Sequence, residues 1–297
     1  MLTRLKIEGF KNIRNVDVRF GPFTCIAGAN GVGKSNLFDA IHFLGCLADE
    51  SFLDAAAAVR GDAQGGPDVR SLFCRHGDYV HDRMLFEAEI IIPKKGEDHL
   101  GQPAEASCTF LRYRLELGLG PEWPADSPGI ALVGESLEPI RKGDAPALLP
   151  FAPKKKAWRD SVVENDRGGT NFISTKNDGG KRVILLHQDG GSRGRPNTLL
   201  ADRLPRTVLS NTSASESPTA LLARQELRSW KLLQLEPGAM RASDDFNAPA
   251  QVGADEVAHR HHEIPELRFR YRSSANSSGE REKDDRAAAQ LRFQEQR

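Results

Sequence analysis

The chain has 297 residues, which is enough for one large domain or two of ordinary size. Its 41 lysines and arginines balance its 41 aspartates and glutamates, so no overall field attracts nucleic acid or an anionic membrane. The sequence contains no apolar run long enough to span a membrane, no apolar core of a signal peptide and no CxxC spacing. These features argue against a membrane protein, a zinc site and a disulfide framework, and they predict a cytoplasmic protein.

Two short strands are predicted at the start of the chain. Apolar and polar residues alternate over residues 2–7 and again over residues 16–20, which is the period of a half-buried strand. Gly9 and Asn12 mark a turn between them. Because a connection this short joins antiparallel neighbours, we expect the two strands to pair in antiparallel.

A third strand and a helix are predicted next. Residues 23–27 form a short, nearly unbroken apolar run, which is typical of a strand buried on both faces. We therefore expect Cys25 and Ile26 to be almost fully buried. After a glycine-rich loop, apolar residues recur at helical spacing: Leu37, Ile41, Leu44 and Ala48.

The glycine-rich loop carries the strongest chemical signal in the chain. Residues 28–35 (GANGVGKS) match the phosphate-loop pattern GxxxxGK[ST] at every fixed position. The glycines let backbone N–H groups turn toward a β-phosphate, Lys34 reaches the β- and γ-phosphate oxygens, and Ser35 offers its hydroxyl to Mg²⁺. The N-terminus of the following helix adds partial positive charge. The pattern therefore predicts a site for ATP with Mg²⁺, in which Lys34 is the catalytic residue and Ser35 the metal ligand.

An antiparallel, loop-rich β region is predicted for the middle of the chain. Residues 84–92, 110–117 and 182–186 are strand-like, and stretches rich in glycine, proline and aspartate separate them. In the second of these strands, the apolar side chains that face one way are Leu111, Tyr113, Leu115 and Leu117.

These patterns divide the chain into three parts. Residues 1–60 hold the strand pair, the phosphate loop and the first helix, and form a P-loop core. Residues 61–255 form a β-rich lobe or arm, closed by a helix near residues 218–231 with Ser217 as its N-cap. Residues 256–297 are a charged tail that we expect to be disordered, because its few large apolar side chains cannot offset the entropy cost of ordering.

The flanks of the phosphate loop narrow the family. The passages LTRLKIEGFKNIRNVDVRF and FTCIAGANGVGKSNLFDAIHFL resemble the N-terminal lobe of the RecF/SMC/SbcC-like ATPases, an ABC-type branch often called AAA family ATPases. In that group a G-F-K-N turn between two strands precedes a loop written G-x-N-G-x-G-K-S-N, and the next helix continues L-x-x-A-I. The matching residues here are Gly9, Phe10, Lys11, Asn12, Asn30, Gly31, Gly33, Lys34, Ser35, Asn36, Leu37, Ala40 and Ile41.

The resemblance implies an α/β fold, an ABC-type N-terminal lobe with an antiparallel β-rich arm. It also implies ATP binding and hydrolysis that drive dimer closure on DNA, in double-strand-break repair, chromosome maintenance or phage defence. The implied partners are DNA and either a second copy, which meets the first through the nucleotide face, or a nuclease. The turn at Lys11 and Asn12 is expected beside the phosphates, so the implied nucleotide-binding residues are Lys11, Asn12, Gly28, Asn30, Gly31, Gly33, Lys34, Ser35 and Asn36.

Three motifs of the family's C-terminal lobe are not found: an LSxG signature, an apolar strand ending in Asp-Glu, and a switch histidine. Residues 130–135 (IALVGE) lack the Asp-Glu pair, residues 182–189 (RVILLHQD) place their acid three residues late, and residues 209–217 lack the signature glycine. The chain therefore resembles the front part of a longer ATPase whose C-terminal lobe is missing. We expect ATP binding from this chain and hydrolysis from the complete family member.

Two alternatives remain. The chain could be a non-catalytic nucleotide-binding module that a partner chain completes, which the absent Asp-Glu strand favours. It could also be a P-loop kinase for a small molecule, although the G-F-K-N turn argues against this reading. Two weaker patterns, the histidines within residues 259–263 and the basic run at residues 154–159, are better explained as solvated segments than as a metal site and a nucleic-acid contact.

Overall fold

An antiparallel sheet organises the N-terminal part of this protein in a computed structural model. The structure describes residues 1–59, 69–77, 79–122, 128–149, 156–164, 170–189 and 194–232. All of them belong to one compact unit, Met1–Gln234. The predicted histidine-rich segment and charged tail lie outside these residues, and the division at residues 60 and 255 stays a prediction.

The strands within the described residues are β1 (Leu2–Phe10), β2 (Ile13–Arg19), β3 (Arg75–His76), β4 (Tyr79–Val80), β5 (Arg83–Ile91), β6 (Lys95–Glu97), β7 (Pro103–Glu105), β8 (Phe110–Glu122), β9 (Pro128–Pro139), β10 (Ile173–Asp178), β11 (Lys181–Leu186) and β12 (Asn197–Leu200). The helices there are α1 (Lys34–Leu47), α2 (Phe52–Ala58), α3 (Ala145–Leu148), α4 (Lys156–Val162) and α5 (Pro218–Arg228). Short 3₁₀ turns lie at Val69–Leu72, Ala201–Arg203 and Leu209–Asn211.

Eight of these strands form one sheet in the order β12-β11-β10-β9-β8-β5-β1-β2, and every neighbouring pair is antiparallel. The predicted strand pair is confirmed, since β1 and β2 place Leu5 opposite Val18 and Ile7 opposite Val16. The strands predicted in the middle of the chain are confirmed as β5, β8 and β11. The fold is therefore α/β with a large antiparallel sheet.

One face of the sheet carries the main core. The inward residues of β8 that the sequence predicted are all buried: Leu111, Tyr113, Leu115 and Leu117. From β1, Leu5 and Ile7 join the same cluster, which also contains residues of α1, α2 and α5. The alternation of apolar and polar residues thus explains which face of each strand packs against the helices.

The helix predicted near residues 218–231 is confirmed as α5, with a correction at its start. Ser217 occupies the N-cap position but makes no side-chain capping bond, and its hydroxyl has no hydrogen-bond partner among the described residues. The N–H of Thr219 instead donates to Oδ2 of Asp189 at 3.3 Å. A carboxylate from elsewhere in the chain therefore replaces the predicted local cap.

The strand predicted at residues 23–27 is wrong. This segment forms neither a strand nor a helix, Phe23 is 88% exposed, Cys25 is exposed and Ile26 is only partly buried. A strand becomes buried on both faces only when neighbouring strands and covering helices surround it. Among the described residues no strand pairs with this segment, so its apolar character alone does not bury it.

Candidate nucleotide site

Helix α1 positions the phosphate loop, because it begins at Lys34 directly after the loop. Its inner side packs on the sheet through Leu37, Ala40, Phe43, Leu44 and Leu47. The ring of Phe43 lies 5.7 Å from that of Phe10 on β1 and 5.8 Å from that of Phe86 on β5. This aromatic group joins the helix to two strands and orients the helix N-terminus.

The loop itself depends on glycine at two points. Gly31 and Gly33 have φ angles of 84° and 98°, in the left-handed region that side chains disfavour. A Cβ on Gly33 would also lie 3.1 Å from Oδ1 of Asn12. The first helical hydrogen bond follows at once, from the N–H of Leu37 to the carbonyl of Gly33 at 3.2 Å. The glycines thus allow the chain to enter α1 closely beside the turn between β1 and β2.

The Lys34 side chain folds back over the loop. Its Nζ donates to the carbonyl oxygens of Gly28 at 2.7 Å and of Ala29 at 2.6 Å. Ser35 and Asn30 are exposed, and the first turn of α1 contains no acidic residue. The start of α1 therefore brings together the Lys34 ammonium group, the Ser35 hydroxyl group and the free backbone N–H groups of the helix. These groups are accessible, and the first helical turn contributes no carboxylate. Such an arrangement is suited to binding an anion.

The turn between β1 and β2 contacts this site through Asn12. The amide Nδ2 of Asn36 donates to Oδ1 of Asn12. This side-chain hydrogen bond joins the β1–β2 connection to the start of α1. Lys11 has a φ of 48°, and its Nζ donates to Oδ2 of Asp39 at 2.7 Å. Of the two turn residues expected beside the phosphates, Asn12 thus lies against the loop, whereas the ammonium of Lys11 is engaged by a carboxylate on α1. The sequence offered no motif that singled out Asp39.

The other candidate residues do not join the loop. Glu135, at the end of the first apolar run tested for the Asp-Glu motif, is buried in the sheet core and contacts Tyr113 and residues 208–209. Trp158, from the basic run, is partly buried and packs against a small apolar cluster around Phe110. No group of three or more potential metal-binding side chains occurs in the part of the chain that the structure describes.

A comparison with known families agrees with the motif. Residues 1–57 match the model of the RecF/RecN/SMC N-terminal domain. This part of the chain is therefore similar to the N-terminal part of RecF/SMC-like ABC-type ATPases, and the resemblance predicted from the sequence is confirmed.

Curated relatives match the same part of the chain. The DNA replication and repair protein RecF of Porphyromonas gingivalis is 49% identical over 64 residues, which cover 21% of this chain and 18% of that protein. The DNA repair protein RecN of Xylella fastidiosa is 36% identical over 70 residues, 23% of this chain and 13% of that protein. The chain thus spans less than a fifth of the length of these relatives.

A solved structure from work on ATP-driven dimerization and DNA-stimulated activation of SMC ATPases aligns with 44% of this chain and 69% of its own chain. It shares 22% identity at a TM-score of 0.29, which is too low to carry an argument about the fold. Separately, no helix within the described residues is long and apolar enough to cross a membrane.

Proposed function

We propose that this protein binds ATP with Mg²⁺ through residues 28–36, as the nucleotide-binding lobe of an ATPase that acts in DNA repair or maintenance. The complete phosphate loop at the N-terminus of α1, with the ammonium of Lys34 folded over its carbonyls, carries the proposal. The similarity to RecF and RecN supports the biological role, since both are named as DNA repair proteins.

Each residue of the site has a distinct proposed task. When ATP enters, Lys34 exchanges the carbonyls of Gly28 and Ala29 for β- and γ-phosphate oxygens, which form stronger, charge-assisted hydrogen bonds. Ser35 offers its hydroxyl to the Mg²⁺ that accompanies the phosphates. Asn12 and Asn36 fix the loop against the turn, because their side chains are already joined. Bound Mg²⁺ would neutralise charge on the phosphates.

Hydrolysis is proposed for the complete ATPase and not for these 297 residues alone. A carboxylate that orients the attacking water and a signature that contacts the γ-phosphate act chiefly in the transition state, so their loss lowers the rate far more than it lowers ATP affinity. DNA and a second copy that meets the first through the nucleotide face are the proposed partners, with a nuclease as another. Phage defence is an alternative setting for the same chemistry.

Steady-state phosphate release by the purified chain tests this proposal. We expect turnover near background, with or without DNA, alongside measurable ATP binding. Turnover of about one per second, a rate ordinary for enzymes, that disappears in Lys34→Ala would show that the chain contains a catalytic carboxylate we have not identified. Transfer of the phosphate to an added small molecule in place of water would favour the kinase alternative.

A further inference from the structure

A buried carboxylate in the sheet holds a loop that reaches the far end of α1. Glu135 on β9 is 1% exposed. Its carboxylate accepts hydrogen bonds from the backbone N–H groups of Val208 at 2.7 Å and Leu209 at 2.9 Å. The hydroxyl of Tyr113 on β8 donates a third, at 3.1 Å. All three contacts are donors, so the carboxylate group is the natural acceptor at their centre.

Two ionisable side chains, Glu135 and Tyr113, are hydrogen-bonded to each other in this part of the core. Burial raises the pKa of Glu135 to about 7, and its three hydrogen bonds oppose that rise. Tyr113 is the titratable group facing it from β8, and burial together with Glu135 raises the pKa of Tyr113 above its ordinary value. Thr175 on β10 and Thr207 in the loop are uncharged, and Thr175 exchanges two 2.8 Å hydrogen bonds with the backbone of Glu135. Of these two groups, the carboxyl group is the one that titrates near neutral pH.

The same loop contacts the C-terminal end of α1. The hydroxyl of Thr207 donates to the carbonyl of Leu47, the last residue of α1, at 2.9 Å, and it accepts the N–H of Ser210 at 3.2 Å. Arg224 on α5 donates to the next carbonyl, that of Ala48, at 3.0 Å. Carbonyls at the end of a helix lack partners within the helix, so these contacts fasten the end of α1 to its surroundings.

The two ends of α1 therefore have different tasks. The helix has 14 residues, which at about 1.5 Å per residue makes it roughly 20 Å long. Lys34 and Ser35 lie at its first turn, and Leu47 lies at its last. Because a helix moves nearly as a rigid rod, a restraint at the last turn limits the movement of the first.

We propose that Glu135 is a positioning residue for the helix that carries the phosphate loop. By holding the N–H groups of Val208 and Leu209 it fixes Thr207, and Thr207 in turn fixes the end of α1. The value of this arrangement for ATP binding rests on the proposed function of the loop, but the mechanical connection can be tested without nucleotide.

Hydrogen–deuterium exchange on the full chain tests that connection. Glu135→Gln keeps the shape of the side chain but turns an NH₂ group toward donors, so we expect exchange to rise about tenfold or more at residues 207–210 and in the last turn of α1. Leu137→Ala is the matched control, since Leu137 is the next inward residue of β9 and is fully buried. If Leu137→Ala releases the last turn equally, or if Glu135→Gln affects residues 207–210 alone, the proposal is wrong.

Two further variants locate the connection. Thr207→Val removes the hydroxyl with little change of shape and should release the last turn of α1 as Glu135→Gln does. In the double variant the two effects on α1 should not add, because both interrupt one chain of contacts; full additivity would contradict the proposal. Tyr113→Phe removes one of the three donors, so it should produce a weaker form of the same pattern even if Glu135→Gln fails to fold.

The pH dependence of stability tests whether Glu135 is a buried carboxyl group in the folded chain. A carboxyl pKa raised by folding from 4.5 to about 7 stabilises the native state fully below pH 4.5, and this contribution is lost as the pH rises through about 7. The melting temperature of the wild type relative to Glu135→Gln should therefore be higher near pH 5 than near pH 8. An equal difference at both pH values would contradict a raised pKa of the Glu135 carboxyl group.

Mg·ATP affinity connects the result to the site. We expect Glu135→Gln to weaken binding about threefold to tenfold, which is roughly the net worth of one hydrogen bond, while folded Leu137→Ala leaves it unchanged. Equal losses of Mg·ATP affinity in both variants would show that Glu135 stabilises the fold in general and does not position α1. Absence of Mg·ATP binding in the wild type would overturn the proposed function instead, and the exchange experiments would still decide the positioning role.

Discussion

Strand β1 of the N-terminal hairpin and the loop segment at residues 23–33 lie close together in the sequence and differ sharply in burial. In the hairpin, β1 lies between β2 and β5, and Leu5 and Ile7 are fully buried. In the loop segment, Phe23 is 88% exposed and Val32 is 63% exposed. Strand β1 pairs with β2, which begins only three residues after β1 ends, whereas residues 23–27 pair with no strand among those described.

The difference shows which apolar patterns predict burial from the local sequence and which do not. Alternation places a strand on the surface of a core, and a short turn supplies its neighbour locally. A continuous apolar run needs partners on both sides, which the local sequence cannot supply.

A side chain at Gly9, near the end of β1, should have the largest effect. Gly9 has a φ of 74°, and a Cβ there would overlap the carbonyl of Arg83 on β5. We expect Gly9→Ala to lower the free energy of unfolding by about 3 kcal/mol or more, the sum of left-handed strain and overpacking. Urea unfolding measures this loss. Gly143→Ala is the control, because a Cβ on Gly143 meets nothing within 4 Å. Equal stability of the two variants would show that the close approach of Gly9 to Arg83 does not restrict residue 9 to glycine.

A smaller change inside the hairpin core should still be measurable. Ile7 is fully buried on β1, so Ile7→Val removes one methylene from a packed site. We expect a loss of about 1 kcal/mol in the free energy of unfolding. Thermal or urea unfolding checks it, and a loss below the error of the method would mean that the hairpin is loosely packed.

The smallest effect should come from the larger deletion in the loop segment. Phe23→Ser removes a whole aromatic ring, but one that is 88% exposed, so we expect stability to change by no more than about 0.5 kcal/mol. The comparison with Ile7→Val is the informative one. If Phe23→Ser costs more than Ile7→Val in parallel unfolding experiments, residues 23–27 are packed and the contrast between the two regions is wrong.

Much of the sheet could be predicted from the sequence, because its strands alternate. The pairing of β1 with β2 and the inward set from Leu111 to Leu117 followed from a period of two. The continuity of one eight-stranded sheet could not be predicted, since pairing between β1 and β5 joins residues more than 70 positions apart, such as Ile7 and Phe86. Long-range register leaves no mark in a local pattern.

The candidate site was predictable where a motif fixes chemistry and unpredictable where packing decides. The glycines and Lys34 follow from what a phosphate requires, and the structure brings them together at the start of α1. The Lys11–Asp39 ion pair and the burial of Glu135 have no motif, because each depends on which elements meet in the fold. Glu135 ends the apolar run at residues 130–135, and this position is the local signal of a buried carboxylate.

A calorimetric titration of Mg·ATP into the full chain and into Lys34→Ala tests the central claim most directly. We expect the variant to bind at least tenfold more weakly, roughly 1.4 kcal/mol or more for a charge-assisted phosphate contact. Its melting temperature without nucleotide should stay unchanged, and Lys176→Ala, which removes an exposed lysine on β10, should bind like the wild type. Equal affinities for the wild type and Lys34→Ala would contradict the assignment of residues 28–36 as the nucleotide site.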